Sequence, residues 1–126
     1  KPADVPGAWN EKFEQSLGLK VPDDRRGCLQ DVHWSGGGIG YFPTYTLGNL
    51  YAAQLMEQAQ ADLGNLAEDF RRGEFSRLKG WLNEKVHASG RRYPASELCR
   101  RITGRDLTPA PLLKYLRAKY APLYGL

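Results

Sequence analysis

No stretch of this 126-residue chain approaches the roughly 18 consecutive apolar residues that a membrane-spanning helix needs, so a membrane protein is not expected. The opening segment Lys1-Pro2-Ala3-Asp4-Val5-Pro6 lacks the apolar core of a secretory signal, which disfavours export. Cysteine is scarce. Cys28 and Cys99 stand far apart, in no CxxC pair and no secretory framework, and a reduced, cytoplasmic setting is the simplest expectation, with a disulfide left open. Histidine is limited to His33 and His87, and the four residues Cys28, His33, His87 and Cys99 show no zinc-site spacing. The chain is therefore expected to hold no metal of its own. Internal repeats and low-complexity segments are also missing.

Acidic charge is the scarcer sign, with 14 acidic against 18 basic residues and a net charge of +4. The surplus falls in the doublets Arg25-Arg26, Arg71-Arg72, Arg91-Arg92 and Arg100-Arg101 rather than along one stripe. Solvated helix ends and ion pairs explain scattered doublets better than a nucleic-acid surface does. A nucleic-acid-binding helical domain is thus the weakest of the readings, and nucleic acid and membrane are both left out of the expected partners.

What the chain does contain is enough to fold. Hydrophobic residues make up 41%, with three Trp, seven Tyr and four Phe, and the length fits a single region spanning 1–126 that buries about two thirds of its unfolded surface. Apolar spacing is helical almost throughout. Pro6 opens a helix with Trp9, Phe13 and Leu17 on one face and Gly18 as its stop. From about Thr46, Leu47, Tyr51, Leu55, Ala59 and Leu63 form a ridge widened by Ala52 and Met56 and closed by Gly64, which predicts a core helix. Asn65 caps a short segment to Gly73. Further helices are expected from about Glu74 to His87, from Pro94 to Gly104, and after the cap and first-turn pair Thr108-Pro109. The fold class is all-α, interrupted by one long glycine-rich loop over residues 19–45 with room for short strands.

That loop carries the chemistry. It runs Gly27-Cys28-Leu29-Gln30-Asp31-Val32-His33-Trp34 and continues through Ser35-Gly36-Gly37-Gly38-Ile39-Gly40 to Tyr41-Phe42-Pro43-Thr44-Tyr45. His33 on a glycine-flanked loop can donate to a substrate carbonyl or a developing oxyanion; the plainer alternative is a histidine that stitches the loop to backbone carbonyls. Asp31, two residues earlier, either orients the His33 ring or caps a local turn. Gln30 is expected to satisfy loop backbone groups and Trp34 to pack beneath the loop. The glycines do not form a phosphate cradle, because GxxxxGK[ST] is missing and Tyr41 stands where the last glycine of GxGxxG is needed.

Gly27-x-x-Gln30-Asp31-x-His33-Trp34, the stretch Gly40-Tyr41-Phe42-Pro43-Thr44-Tyr45 and the run Leu47-Gly48-Asn49-Leu50-Tyr51-Ala52-Ala53-Gln54 together closely resemble the carboxypeptidase Taq family of zinc metallocarboxypeptidases. Weaker matches lie on both sides, around Pro6 to Asn10 and at Trp81-Leu82, His87, Gly90, Tyr93, Thr103-Gly104 and Tyr115 to Tyr120. The resemblance covers the whole chain but only about the last quarter of a family member. It implies the C-terminal portion of a larger, mostly helical metallopeptidase. Members hold zinc through a HExxH helix and a later glutamate, with the motif's own glutamate as general base. This chain has no HExxH, and the DxRxT and IRxxAD motifs are missing too. Zinc is therefore expected in the complete enzyme on ligands outside this chain, and none is expected to bind to the chain alone.

The resemblance further implies that Tyr41 or Tyr45 lies over the scissile peptide and donates to the tetrahedral intermediate. Tyr41 is the first choice because it ends the glycine run, and a phenol keeps its proton at neutral pH; the alternative is an aromatic pair packed in the core. His33 and Tyr41 are thus the candidate catalytic residues, with Gln30, Asp31, Trp34 and Tyr45 in support and no metal ligand. Expected partners are a peptide substrate and the N-terminal catalytic portion, with a homodimer left open. The rival function is a non-catalytic peptide- or partner-binding helical module.

Overall fold

The computed structural model describes all of residues 1–126 and forms two compact units, Lys1–Thr44 and Tyr45–Leu126. Six α-helices and a set of short 3-10 turns make up its regular structure, with no β-strand. None of the helices is long and apolar enough to cross a membrane.

In the first unit, α1 (Val5–Leu17) ends at Gly18, whose left-handed φ of 68° lets the chain turn away. Trp9 stacks on Phe13 one turn later at 6.4 Å between ring centroids and takes the edge of Trp34 at 6.0 Å and 83°. Leu17, expected on the same packed face, is exposed because it is the last helical residue before the turn. Between α1 and the next helix, the room left for short strands is taken by three 3-10 turns, Asp24–Arg26, Cys28–Gln30 and Trp34–Gly36.

The long helix α2 (Pro43–Leu63) starts three residues before the Thr46 expected from the apolar pattern. Proline at the first position has φ already set for a helix, and the Thr44 hydroxyl and N–H both donate to the Tyr41 carbonyl, at 2.7 and 2.9 Å. Gly64 (φ 83°) ends it, and Asn65 Oδ1 accepts the Glu68 N–H at 3.2 Å to start α3 (Leu66–Arg71). Then come α4 (Ser76–Lys85), α5 (Ala95–Thr103), which stops at Gly104, and α6 (Ala110–Tyr124).

The core of the second unit centres on Ala59, Leu66 and Trp81, with Leu55, Leu63, Phe70, Leu78, Leu82, Val86 and Ile102 packed around them. The Trp81 indole N–H donates to Asp62 at 2.8 Å, so the ring is buried without leaving its polar atom unpaired. Asp69 is buried too. It accepts from Arg77 at 2.6 Å and Arg72 at 3.2 Å.

Two residues behave differently from the sequence pattern. Gln54, on the expected ridge helix, is fully buried; its amide donates to Thr103 Oγ1 and the Asp106 carbonyl, both at 3.1 Å, and its carbonyl accepts the Thr108 N–H at 3.0 Å. Thr108, expected as the cap, stands one residue before it: Pro109 occupies the cap position of α6 and Pro111 the first turn. Four of the basic doublet positions lie beside acids on their own helix or turn: Arg26 on Asp23, Arg71 on Glu68, Arg72 on Asp69 and Arg101 on Glu97. Arg100 pairs with Asp106 just beyond α5. The positive surplus is locally offset rather than pooled.

Gln54→Leu leaves the Thr108 N–H and the Asp106 carbonyl without this partner, while the Thr103 hydroxyl keeps its bond to the Cys99 carbonyl, and is expected to lower the unfolding free energy by about 3 kcal/mol in urea titration. In the second unit, acid should act through two carboxylates. Lys114 and then Arg105 hold Glu57 below its ordinary range, and Trp81 and then Gln58 do the same for Asp62. A depressed folded-state pKa contributes stability that is present above the unfolded value and lost as pH falls through the folded one. Stability should thus fall on acidification through the carboxylate range, and less steeply in Glu57→Gln/Asp62→Asn, as read by urea midpoints at stepped pH.

Candidate active-site loop

The chemistry-bearing loop is shaped by side chains that grip their own backbone. Asp23 accepts the Arg26 N–H at 2.9 Å and its guanidinium at 2.6 Å, closing the first turn. Gly27 follows and is buried: a Cβ there would stand 2.6 Å from Val21 Cγ1 and 3.2 Å from the Asp23 carbonyl oxygen. Only glycine fits this crossing. Cys28 is buried at the start of the second turn, and the Gln30 side-chain amide donates to the Arg25 carbonyl.

Asp31 and His33 form a local clamp. Asp31 Oδ1 accepts the His33 backbone N–H at 3.0 Å and lies 2.7 Å from the same residue's Nδ1. One carboxylate oxygen thus fixes both the backbone and the ring of His33. Their side chains are 9% and 26% exposed, sheltered enough for the pairing to outweigh an ordinary surface contact. The His33 carbonyl in turn accepts the N–H groups of Gly36 at 3.1 Å and Gly38 at 2.8 Å, wrapping the glycine run back over the histidine. Gly37 takes φ 77° to do so, and a Cβ on Gly38 would sit 3.2 Å from the His33 carbonyl oxygen.

That wrap delivers the aromatics. The Tyr41 N–H donates to the Gly38 carbonyl at 3.1 Å, and the Tyr41 ring lies 5.2 Å from the His33 ring, tilted by 34°. Phe42 flanks the same imidazole at 5.6 Å and 60°. Tyr41 remains half exposed. The structure therefore brings together Asp31, His33 and Tyr41. Trp34 instead faces Trp9, and Tyr45 sits exposed at the start of α2, in the second unit. Phe42 is not among the candidate site residues read from the sequence, although it lies inside the Gly40 to Tyr45 stretch that carries the family resemblance.

An imidazole whose Nδ1–H faces a carboxylate donates through Nε2 only as the imidazolium, and the carboxylate offsets that charge. Beside a phenol, the arrangement suits a ligand that carries or develops negative charge on oxygen. A metal is another matter. No three of the His, Cys, Asp and Glu side chains come together as a metal-holding group; His33 is engaged with Asp31, and His87 Nδ1 lies 2.9 Å from Asn83 Oδ1. The donor set does not fit a metal centre.

The family model described as Carboxypeptidase Taq (M32) metallopeptidase matches residues 1–120. This chain belongs to that family. Among M32 relatives, it is 50% identical over 124 residues to Thermostable carboxypeptidase 1 of Thermus thermophilus, covering 98% of this chain and 24% of that protein. It is 45% identical to Carboxypeptidase 1 of Bacillus subtilis, covering 98% of this chain and 25% of that one. The fold agrees with the M32 carboxypeptidase crystal structure from Deinococcus radiodurans at a TM-score of 0.88 and 50% identity, over 98% of this chain and 25% of that chain. The chain thus spans about a quarter of the length of the M32 proteins it matches. Membership in a metallopeptidase family fits a metal in the full-length relatives.

The two tight glycines give a check on this geometry. Gly27→Ala should cost about 1–3 kcal/mol of stability, because Val21 and the Asp23 backbone must both move. Gly38→Ala should shift the His33 imidazole resonances in NMR spectra while the thermal midpoint moves by less than in Gly27→Ala.

Proposed function

We propose that this chain is the C-terminal portion of a zinc metallocarboxypeptidase that releases C-terminal amino acids from peptides, and that its glycine-rich loop forms one wall of the peptide groove. The observation that carries the reading is the Asp31–His33 clamp with Tyr41 laid against the imidazole. His33, as the imidazolium, donates to a peptide carbonyl or to the oxyanion formed from it, and Asp31 positions the ring and balances its charge. Tyr41 donates its phenolic proton to the same oxygen without giving it up. Gln30 and Trp34 support the loop from the Arg25 carbonyl and from Trp9.

The zinc and its ligands, in this reading, belong to the portion of the enzyme beyond this chain, which therefore does not catalyse by itself. The two free, buried cysteines fit a cytoplasmic site of action. In a complete enzyme, His33→Ala should lower kcat by about 100-fold, the typical scale for losing an oxyanion donor, a loss far larger than the modest fall in thermal midpoint from removing the ring that pairs with Asp31. Asp31→Asn should lower kcat less, since its Oδ1 can still accept the His33 backbone and ring N–H groups. Unchanged turnover in His33→Ala, or release of C-terminal residues by the zinc-loaded 126-residue chain alone, would overturn the assignment.

A further inference from the structure

The second unit exposes an apolar trough between two of its helices. It has a volume of about 540 Å3 and is lined from α2 by Ala52, Ala53 and Met56 and from α6 by Leu112, Tyr115 and Ala118. The α2 positions recur at three- and four-residue spacing, as do those on α6, so each helix presents one ridge and the trough lies along the seam. Alanines on both sides leave room for side chains from a third helix. The charged group at its edge is already satisfied, because Glu57 is held by Lys114 at 3.2 Å and by Arg105. An occupant therefore needs no charge at this edge, and mainly apolar side chains, with Asn49 and Gln60 also in the lining to meet a polar group.

The exposed area says how large the missing cover is. A compact monomer of 14.2 kDa exposes about 6,800 Å2, and two separate compact bodies dividing that mass one third to two thirds about 8,100 Å2. This chain exposes 9679 Å2, with Leu47, Met56, Leu113 and Tyr115 of α2 and α6 among its exposed apolar residues. The surplus of about 1,600 Å2 over even the two-body figure is roughly twice what each partner contributes to a standard protein interface. That surplus belongs to the whole chain, the exposed Leu19, Leu29, Val32 and Ile39 of the first unit included, and the trough is the part of it that forms a concave apolar seat. The relatives supply the other part: their matched quarter resembles this chain, and three quarters of their length lies outside the match.

We infer that the α2–α6 trough is the seat of an apolar helix from the three quarters of the M32 fold that this chain does not contain. The inference rests on family membership and exposed surface, not on the role of His33. Its test uses a chimera in which this chain replaces the matched quarter of the Thermus thermophilus relative, alongside the 126-residue chain itself. Met56→Glu should lower the thermal midpoint of the chimera by about 4 °C or more at unchanged oligomeric state, while Met56→Leu stays near the parent. In the 126-residue chain, where Met56 is solvent-exposed, Met56→Glu should shift the midpoint by less than about 1 °C. No destabilisation of the chimera would overturn the inference, as would an equal loss in both proteins. A dimer of either protein that Met56→Glu dissolves would overturn it in favour of a second copy.

Discussion

One buried carboxamide decides how the second unit is arranged. Gln54 spends its amide hydrogens on the end of α5 and the chain just after it, and its oxygen on the backbone entering α6. A polar group with no exposed surface is tolerable only when its partners are in place, so α2 and the Thr103–Thr108 connection are fixed relative to one another. One turn further along α2, Glu57 holds Arg105 and Lys114, which extends the same alignment into α6. Ala59 then enters the apolar core beside Leu66 and Trp81. A single helix thus carries the polar anchor, the ionic brace and the core contact of its unit.

The first unit relies on a different economy of contacts. It has little apolar interior beyond Trp9, Phe13, Trp34 and the buried Cys28, and its loop keeps its form through short-range hydrogen bonds. Asp23 closes one turn, the Asp31 carboxylate another, and the His33 carbonyl gathers two glycine N–H groups. Such a loop holds a polar side chain steady without surrounding it by hydrophobic residues. This is the condition a peptide-facing group needs, since it must stay hydrated or ligand-accessible yet oriented.

Much of this was readable from residues alone because the signals are local. Gly18, Gly64 and Gly104 end helices where their left-handed conformations require glycine, and Asn65 caps α3 as its position implies. Asp31 and His33 are two residues apart, so their pairing needs no knowledge of the fold. The departures arise where partners are remote. Gln54 looks like a surface residue in an apolar helix pattern, because its partners lie about 50 residues downstream. Thr108 looks like a cap, but its N–H is recruited by that same glutamine. Leu47 and Met56 read as core from periodicity and are exposed here, since a hydrophobic period shows that a face is meant to be covered and not by which chain segment. Phe42 lies within the resembling stretch Gly40 to Tyr45, but its place beside His33 was not legible, because the glycine turns that put it there obey no helical or strand period.

The clamp between Asp31 and His33 spans only two positions along the chain, and the rings of Tyr41 and Phe42 arrive within ten more. Closing so short a loop costs little chain entropy and takes place on the fastest timescales of folding. This loop can consequently form early and by itself, before any distant segment has found its place. Whatever this loop later meets, it meets as a surface already shaped by its own short-range hydrogen bonds.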